Sequence, residues 1–318
     1  MQPFIYKKKP QQILFLLLVL FTGGKTYAQL GASSLNGPGI AVSADYLPAS
    51  HYIRPEDSVK TKSTTSQQRY NFGAAFLLFN RVDTATKKAR SLTFGLSGTY
   101  TRLSNKDYDQ QIFPKELLNA NAGFLYTQSM RNRWSLMAIA AVSLGTDLEE
   151  INGQDLFLQG GVLFIKQHSR RFSYGIGGVF TNSFGTPMIL PAILVRWKTE
   201  SRFAVDINFP EKASVSTALN KYTDLALAVR VDGNTYDVTH GVNGKRLMGY
   251  MQINAGLENT WHLGKHLDLV VAAGSSLLNN ATFSDKKLSE MFKEKPNYRL
   301  GTNYYLSTGL RWNFIPRR

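Results

Sequence analysis

The chain has 318 residues, with 37 lysines and arginines against 22 aspartates and glutamates, a formal net charge of +15 and no cysteine. The lack of cysteine excludes disulfide bonds, thiolate metal sites and a lipid-modified N-terminal cysteine. The basic charge alone is compatible with nucleic acid or with a membrane surface as a partner, so other features of the sequence have to separate these two classes.

The start of the chain has the pattern of a secretory signal peptide. Three lysines at residues 7–9 precede an apolar run over 13–21, and Ala28 is the small residue before the predicted cleavage site. The apolar run is too short to cross a bilayer as a helix. We therefore predict a cleaved signal peptide over 1–28 and a single exported domain over 29–318.

The exported domain contains no second continuous apolar run of about 18 residues, so the sequence predicts no transmembrane helix there. Its basic residues are scattered through predicted turns and loops instead of lying along one helix. An exported basic chain meets anionic lipid headgroups and lipopolysaccharide phosphates first. We therefore predict outer-membrane lipid and lipopolysaccharide as partners, and no nucleic acid.

Short segments of alternating polarity fill the exported domain. In one of them Leu92 and Phe94 alternate with the polar Thr93, which indicates a strand with one apolar face and one wet face. The sequence predicts an all-β fold, a transmembrane antiparallel up-and-down β-barrel of about 14 strands in the cell outer membrane. Omitting the short hairpin of 202–209 and 213–219 would give 12 strands. The predicted strands are 38–48, 68–81, 90–104, 117–130, 133–146, 153–168, 171–183, 187–198, 202–209, 213–219, 222–232, 247–262, 266–278 and 298–314.

The connections between these strands alternate between tight turns and long polar loops. Tight turns, for example at 131–132 and 264–265, are soon followed by an aromatic or apolar residue. Short turns on the periplasmic side and long loops outside are typical of transmembrane barrels, and an even strand number places both termini at the short-turn end. The predicted long loops are 49–67, 105–116, 233–246 and 279–297. We predict that 49–67 is mobile, because a stretch so polar buries little apolar surface.

The last predicted strand ends in aromatic residues close to the C-terminus. Trp312 and Phe314 lie on its apolar face and Gly309 on its polar face, and Trp197 ends another strand in a similar way. This placement predicts membrane-interface positions for the aromatic rings. The spacing of Gly309, Trp312 and Phe314 also resembles the C-terminal signal of outer-membrane barrels, so the barrel-assembly machinery is a predicted partner. We expect this strand to close the barrel against 39–47.

A resemblance to a known family is carried by the run over 174–210. It contains a Gly-x-Pro-x-x-Leu-Pro corner from Gly185 to Pro191, followed by an Arg-Trp strand end at Trp197. The run resembles a Bacteroidetes-type family of outer-membrane proteins known only as a domain of unknown function, most closely over 170–235. The resemblance implies an outer-membrane β-barrel and brings no catalytic residue with it. Proline has no backbone N–H to donate a hydrogen bond to a neighbouring strand within a sheet, so we expect Pro191 to mark a bulge.

The polar faces of the predicted strands carry many charged and amide side chains. In a wide barrel these side chains would line water, whereas in a narrow one they would pair into a polar plug. A paired structural network is the favoured interpretation, and a charge-lined pore is the alternative. The predicted lumen-lining residues are Arg196, Arg202, Asp206, Asn208, Asp224, Arg230, Gln252, Asn254, Glu258, Arg311 and Asn313.

The predicted function is that of a passive channel or a structural envelope protein that is not an enzyme. No catalytic, metal or cofactor residues are identified, and the oligomeric state is left open. The alternative is a lipid-modifying outer-membrane hydrolase, in which a loop serine would pair with His51 or His240 at the extracellular rim. The spacing of His262 and His266 permits a metal site, but this pair straddles a predicted turn, so none is expected.

Overall fold

The structure, a computed structural model, describes residues 37–83, 86, 88–182, 187–285 and 295–316. The predicted signal peptide and its cleavage site lie outside the described residues. No helix in the described part is long and apolar enough to cross a membrane.

Three single-turn 3-10 helices, Arg131–Arg133, Gly153–Asp155 and Val242–Gly244, lie in the connections. The strands are β1 (Gly39–Ile53), β2 (Lys60–Asp83), β3 (Lys88–Lys106), β4 (Glu116–Ser129), β5 (Trp134–Thr146), β6 (Leu156–Gln167), β7 (Phe172–Thr181), β8 (Met188–Lys198), β9 (Phe203–Phe209), β10 (Lys212–Asn220), β11 (Thr223–Asp237), β12 (Leu247–His262), β13 (Leu267–Ser284), β14 (Tyr298–Leu300) and β15 (Asn303–Asn313).

These strands form a closed antiparallel β-barrel. Each strand pairs with the next from β1 to β13, and β14 and β15 both pair with β13 and with β1. The two short strands are therefore one wall strand, interrupted at residues 301–302, and the wall has 14 strands as predicted. The last strand closes on the first as expected, from Gly39 opposite Asn313 to Tyr46 opposite Leu306. Closure leaves no sheet edge running the full height of the wall.

Side chains alternate between the outside and the inside of the barrel along each strand. On β12, for example, Leu257 is 54% exposed and its neighbour Glu258 is 9% exposed. We call the end with the short turns, where Gly39 and Asn313 lie, the lower end, and the opposite end the upper end. Exposed aromatic rings stand near both ends, for example Trp197 at the lower end of β8. Other large exposed aromatic residues of the outer face include Tyr46, Tyr70, Tyr174, Phe203, Tyr304 and Trp312.

The prediction of a mobile loop over 49–67 is wrong, because most of this stretch lies in two paired strands. β1 continues to Ile53 and β2 begins at Lys60, and a short turn joins them. The polar residues are ordered by hydrogen bonds inside the barrel. The buried Thr65 hydroxyl donates to Asn105 Oδ1 at 2.8 Å and lies 2.8 Å from the Tyr108 hydroxyl. Composition indicated disorder because it does not show that these hydroxyls meet partners from other strands.

The prediction of a bulge at Pro191 is also wrong. The ladder between β7 and β8 runs without a register shift from Phe172 opposite Trp197 to Thr181 opposite Met188. Pro191 instead lies above the last residue of β8 that pairs with β9, Ile193. A proline is tolerated there because that side of β8 has no ladder partner among the described strands.

Two apolar clusters contain most of the buried hydrophobic residues that the structure describes. The lower cluster is built mainly from inward-facing residues of β4 to β8: Leu125, Met137, Ala141, Leu163, Val179, Ala192 and Leu194, with Ala41 and Ala75. The upper cluster lies at the upper ends of β1, β3 and β11 to β14 and includes the connection between β3 and β4: Tyr52, Leu103, Phe113, Leu117, Tyr236, Val238, Met248, Tyr250, Ala281, Phe283, Tyr298 and Leu300. The barrel therefore has a packed interior and not a wide water-filled one.

Candidate functional site

A polar cavity of about 160 Å³ lies inside the barrel, and we call it the lumen cavity. Its charged lining comes from strands on one side of the barrel and from β2. Residues of β3, β4 and β6 contribute only hydroxyl and amide groups to it. The residues that line the cavity include Asp45, Arg69, Asn119, Gln159, Pro210, Glu211, Lys212, Arg230, Asp232, Asn254, Glu258 and Arg311.

Three cations surround a single carboxylate in the lower part of this cavity. Arg230 donates a hydrogen bond to Glu258 Oε2, and Lys212 Nζ lies 3.5 Å from the same oxygen. Arg311 interacts electrostatically with Glu258 and is repelled by Arg230. Its Nε has no hydrogen-bond partner among the described residues, although Arg311 is only 6% exposed. We call Lys212, Arg230 and Arg311 the cationic cluster.

A second polar group lies above the cationic cluster and is closer to charge balance. Arg69 forms an ion pair with Asp232, with an NH1–Oδ2 distance of 3.3 Å, and donates to Gln252 Oε1. Asn71, two residues from Arg69 on β2, donates from Nδ2 to Asp45 Oδ2 of the neighbouring β1 at 2.9 Å. Arg69 therefore has both a carboxylate and an amide partner, as buried charges usually do. The charged lining of the cavity is balanced as a whole, with Arg69, Lys212, Arg230 and Arg311 against Asp45, Glu211, Asp232 and Glu258, but three of the four cations lie around Glu258.

The upper cluster packs together above the cavity. Phe113 and Tyr236 are 0% and 1% exposed, and they come from different parts of the chain. Tyr108 packs against this cluster, and burial raises the pKa of its hydroxyl to about 12. The hydroxyl is therefore neutral at physiological pH and can stay buried beside Thr65.

The upper end of β11 crosses the lumen to reach the opposite side of the barrel. Asp237 pairs in parallel with Thr146 of β5, and the Thr235 hydroxyl donates to the carbonyl oxygen of Asn182. This crossing is possible because Gly145 has no side chain: a Cβ there would collide with the carbonyl oxygen of Thr235. β11 thus forms part of the closure as well as part of the wall.

The wall has a notch above the hairpin of β9 and β10. The hairpin turns at Pro210 and Glu211, and β8 pairs with β9 only from Ile193 downward. Among the described strands, none pairs with 188–192 of β8 on that side, and β11 has no ladder partner on its β10 side above Val231 until Asp237, which pairs with Thr146 of β5. The lumen cavity reaches the notch, because its lining includes the turn and the 231–234 stretch of β11.

The outer surface around the notch is apolar. Phe209 at the top of the hairpin is 47% exposed, and Val229 beside it is 41% exposed. Ile189, four residues above the end of the β8–β9 pairing, is 77% exposed. Apolar surface therefore continues above the turn of the hairpin, so the notch opens within the apolar belt and not above it.

The structure brings some of the predicted lumen-lining residues together and separates others. Arg230, Gln252, Asn254, Glu258 and Arg311 line the lumen cavity. Lower in the barrel, Arg196 Nε and Asp206 Oδ2 are 3.4 Å apart, and Asn208 donates to Glu211 of the nearby turn.

The remaining predicted residues lie at the lower end of the barrel. Asp224 and Asn313 join a network at that end, where Asp224 contacts His262 and Asn313 donates to Asp268. Arg202 is exposed in the turn before β9, because the strand begins one residue later than predicted.

The predicted interface residues lie at the lower ends of their strands. Trp197 and Trp312 are 50% and 51% exposed, and Trp312 stacks on His266 with ring centroids 5.7 Å apart. Phe314 follows the last strand and packs against Phe76. Gly309 faces inward, where a Cβ would lie 2.8 Å from the Ser43 Cβ, so its small size lets β15 approach β1 closely.

The histidines are engaged in contacts other than a Ser–His pair. His51 Nδ1 lies 3.0 Å from the Thr61 carbonyl oxygen, and His240 Nε2 lies 3.4 Å from Glu149 Oε2. Neither ring is hydrogen-bonded to a serine hydroxyl within the described ranges. His262 lies between Asp224 and Asp268, with nitrogen–oxygen distances of 3.1 Å to each. No group of three or more metal-ligating side chains is present among the residues that the structure describes.

Sequence reasoning missed five charged residues of the cavity: Asp45, Arg69, Glu211, Lys212 and Asp232. Lys212 lies on the inward face of β10 with Ser214 and Ser216, one residue outside the predicted strand. Arg69 is next to the outward-facing Tyr70 on β2. The alternation of side chains along a strand could therefore have predicted that Arg69 faces inward. Asp232 was at the end of a predicted strand, and only the extension of β11 to Asp237 places it beside Arg69.

Comparison with known proteins gives a family and distant structural similarities. The family model described as "Domain of unknown function (DUF6268)" matches residues 24–313. No curated protein sequence matches the chain.

The solved structures that resemble the chain are outer-envelope barrels of low similarity. The translocator domain of the autotransporter NalP from Neisseria meningitidis is 10% identical, with 96% of each chain covered and a TM-score of 0.29. The transport unit of the autotransporter AIDA-I from Escherichia coli is 11% identical, with 97% of this chain and 100% of that chain covered and a TM-score of 0.30. A TodX deltaS2S3 mutant monoaromatic hydrocarbon channel is 8% identical, with 92% and 94% covered and a TM-score of 0.32. Similarity this low assigns none of these proteins' activities to this chain.

Proposed function

Because the chain belongs to the DUF6268 family, whose description names no activity, we propose a function from the barrel itself. The protein is an outer-membrane β-barrel whose lumen is closed, and it serves the envelope as a structural barrel instead of an open pore. The observation that carries this proposal is the upper cluster, which fills the lumen above the cavity.

The placement in a membrane is supported by the outer face of the barrel. Large apolar side chains such as Leu158 and Ile176, 66% and 64% exposed, would otherwise stand in water. Moving such a side chain from water into hydrocarbon stabilises it by about 1.5–3 kcal/mol. The predicted signal peptide supports export, and a closed barrel satisfies its backbone groups inside a bilayer.

The closed lumen is supported by the way in which the upper cluster is assembled. It takes Phe113 from the connection between β3 and β4, Tyr236 from β11 and Tyr298 from β14. Because these residues come from distant points of the wall and are packed together, ions have no wide aqueous path along the barrel axis.

Planar-bilayer recording with protein extracted from the outer-membrane fraction tests this proposal. We expect no steady conductance from the wild type. Phe113→Ala with Tyr236→Ala should produce a measurable conductance, because two large rings leave the closure. Tyr304→Ala with Phe72→Ala is the matched control, since these two side chains lie on the outer face and are 66% and 45% exposed. Steady wild-type conductance, or recovery of the protein from the soluble periplasmic fraction, would contradict the proposal.

A second function is favoured by the notch. Because the lumen cavity reaches an interruption of the wall inside the apolar belt, a small molecule could pass between the membrane and the cavity without crossing the upper cluster. The barrel would then act as a conduit with lateral access. This alternative predicts access to the cavity from the lipid side, whereas the structural function predicts none.

A lipid-hydrolase function has less support. It needs a serine hydroxyl within hydrogen-bond reach of a histidine base. His51 and His240 contact Thr61 and Glu149 instead, so no observation on the described residues favours this alternative.

A further inference from the structure

The charge balance around Glu258 is unusual for the interior of a barrel. Three cationic side chains approach it, and two of them, Arg230 and Lys212, already share one carboxylate oxygen. The other carboxylates of the lining, Asp45, Glu211 and Asp232, contact Asn71, Asn208 and Arg69, so Arg311 has no hydrogen-bonded carboxylate among the described residues. Buried charges are normally paired, and an uncompensated one is costly.

Arg311 is the member of the cluster that this carboxylate does not satisfy. It is 6% exposed, it lines the lumen cavity, and its Nε has no hydrogen-bond partner among the described residues. A guanidinium presents five donors in a planar fork that fits the two oxygens of a phosphate or a carboxylate. The guanidinium of Arg311 therefore borders the cavity without a hydrogen bond from its Nε to any described residue.

The cavity itself also offers neutral polar groups. Gln159 Oε1 and Asn254 Oδ1 are buried without a hydrogen-bond partner among the described residues, and both side chains line the cavity. An oxyanion that carries a hydroxyl group could donate to such an acceptor. About 160 Å³ is enough space for a small oxyanion and for part of the molecule that bears it.

We propose that Arg311, Arg230 and Lys212 form a binding site for an oxyanion group, a phosphate or a carboxylate, in the lumen cavity. The ligand supplies the acceptor oxygens that Arg311 lacks among the described residues. It can be a free anion, or it can be the headgroup of an amphipathic molecule that reaches the cavity through the notch. In both cases the same three side chains bind the same chemical group, and this site goes beyond the structural function proposed above.

Thermal unfolding of the full-length protein in an uncharged detergent tests the site, with inorganic phosphate and dodecyl phosphate as probes. We expect inorganic phosphate to raise the unfolding temperature of the wild type in a saturable way. Arg311→Gln should weaken this binding about ten- to a hundredfold, as expected when hydrogen bonds to a charged group are lost. Arg90→Gln, which removes an exposed arginine of β3, is the matched control and should leave the binding unchanged.

Glu258→Gln provides a second variant with an effect of opposite sign. Glu258 competes with the ligand for Arg230 and Lys212, so its neutralisation should tighten phosphate binding several-fold. A purely structural role of the cationic cluster would lower the stability of this variant without increasing its response to phosphate.

The two probes separate the two sources of the ligand. Binding of inorganic phosphate alone identifies a free anion, whereas competition by dodecyl phosphate identifies an amphipathic one. The proposal is overturned if neither probe stabilises the wild type. It is also overturned if Arg311→Gln responds to the probes as strongly as the wild type and the control Arg90→Gln do.

Discussion

Arg311 and Trp312 are neighbours in the sequence that face different surroundings. Trp312 is 51% exposed on the outer face, whereas Arg311 is 6% exposed in the lumen cavity. Replacing Arg311 therefore disturbs the cationic cluster, and replacing Asn313 breaks its hydrogen bond to Asp268. Substitutions at these inward positions cannot serve as neutral controls for the aromatic residues of the same strand.

The aromatic residues at the lower end allow a test of their own. Trp312→Ser with Phe314→Ser should lower the amount of protein in the outer membrane, because each ring that leaves lipid for a small polar group loses about 2–3 kcal/mol. Trp312→Tyr with Phe314→Tyr is the matched control, since it keeps two amphipathic rings at the interface. The measurement is outer-membrane abundance. Equal abundance of the two double variants would mean that these rings do not contact the bilayer.

At this scale the sequence predicts which way a side chain faces but not which side chains meet. The period of two places Arg230, Glu258 and Arg311 inside correctly. Their convergence depends on the register of several strands around the barrel, in which Lys212 lies opposite Arg230 and Arg230 opposite Asn254. Register follows from turn lengths and from packing across the whole wall, so local alternation does not contain it.

Among the strands, β11 has two roles, and Gly145 on β5 makes the second one possible. The lower part of β11 is an ordinary wall strand between β10 and β12, whereas the upper part of β11 crosses to β5. The crossing brings the carbonyl oxygen of Thr235 against Gly145, where no Cβ fits. The sequence alone marks Gly145 only as one more glycine in a strand.

Gly145→Ala tests whether this contact holds the closure. The added methyl group would collide with β11 and should destabilise the protein by about 1–3 kcal/mol, the usual cost of overpacking. Gly153→Ala is the matched control, because a Cβ at Gly153 meets open space. The temperature at which the folded band disappears in heat-modifiable gel mobility is the measurement. If the two variants lose the folded band at the same temperature, the crossing does not depend on this contact.

The predicted strands were closer to the structure near the lower end than near the upper end. The predicted tight turns at 131–132 and 264–265 have close counterparts at the lower end, but β1, β2, β11 and β13 extend beyond their predicted upper limits. The reason is that alternation reports a change of medium between the two faces. Above the apolar belt both faces of a strand meet polar groups or other protein, so the period of two fades while the ladder continues.

For the molecule as a whole, the notch decides between a closed structural barrel and a conduit with lateral access. The chain has no cysteine, so single cysteines can be introduced as probes. With lateral access, Asn234→Cys at the notch should react with a lipid-soluble maleimide in membranes at least about ten times faster than Thr101→Cys. Thr101 is 2% exposed inside the barrel, on the side away from the notch. Equal and slow labelling of both cysteines would contradict lateral access.

Compared with a soluble protein, this barrel exchanges the chemical classes of residue that tolerate substitution and that resist it. On the outer face one apolar residue can replace another, because lipid imposes no fixed shape on a side chain such as Leu158 or Ile176. Inside, the lower cluster consists largely of small and branched residues that fit one another, and the polar groups around Glu258 depend on specific partners. We therefore expect variation among functional sequences to accumulate at apolar positions of the outer face, while the polar and small residues inside the barrel stay fixed.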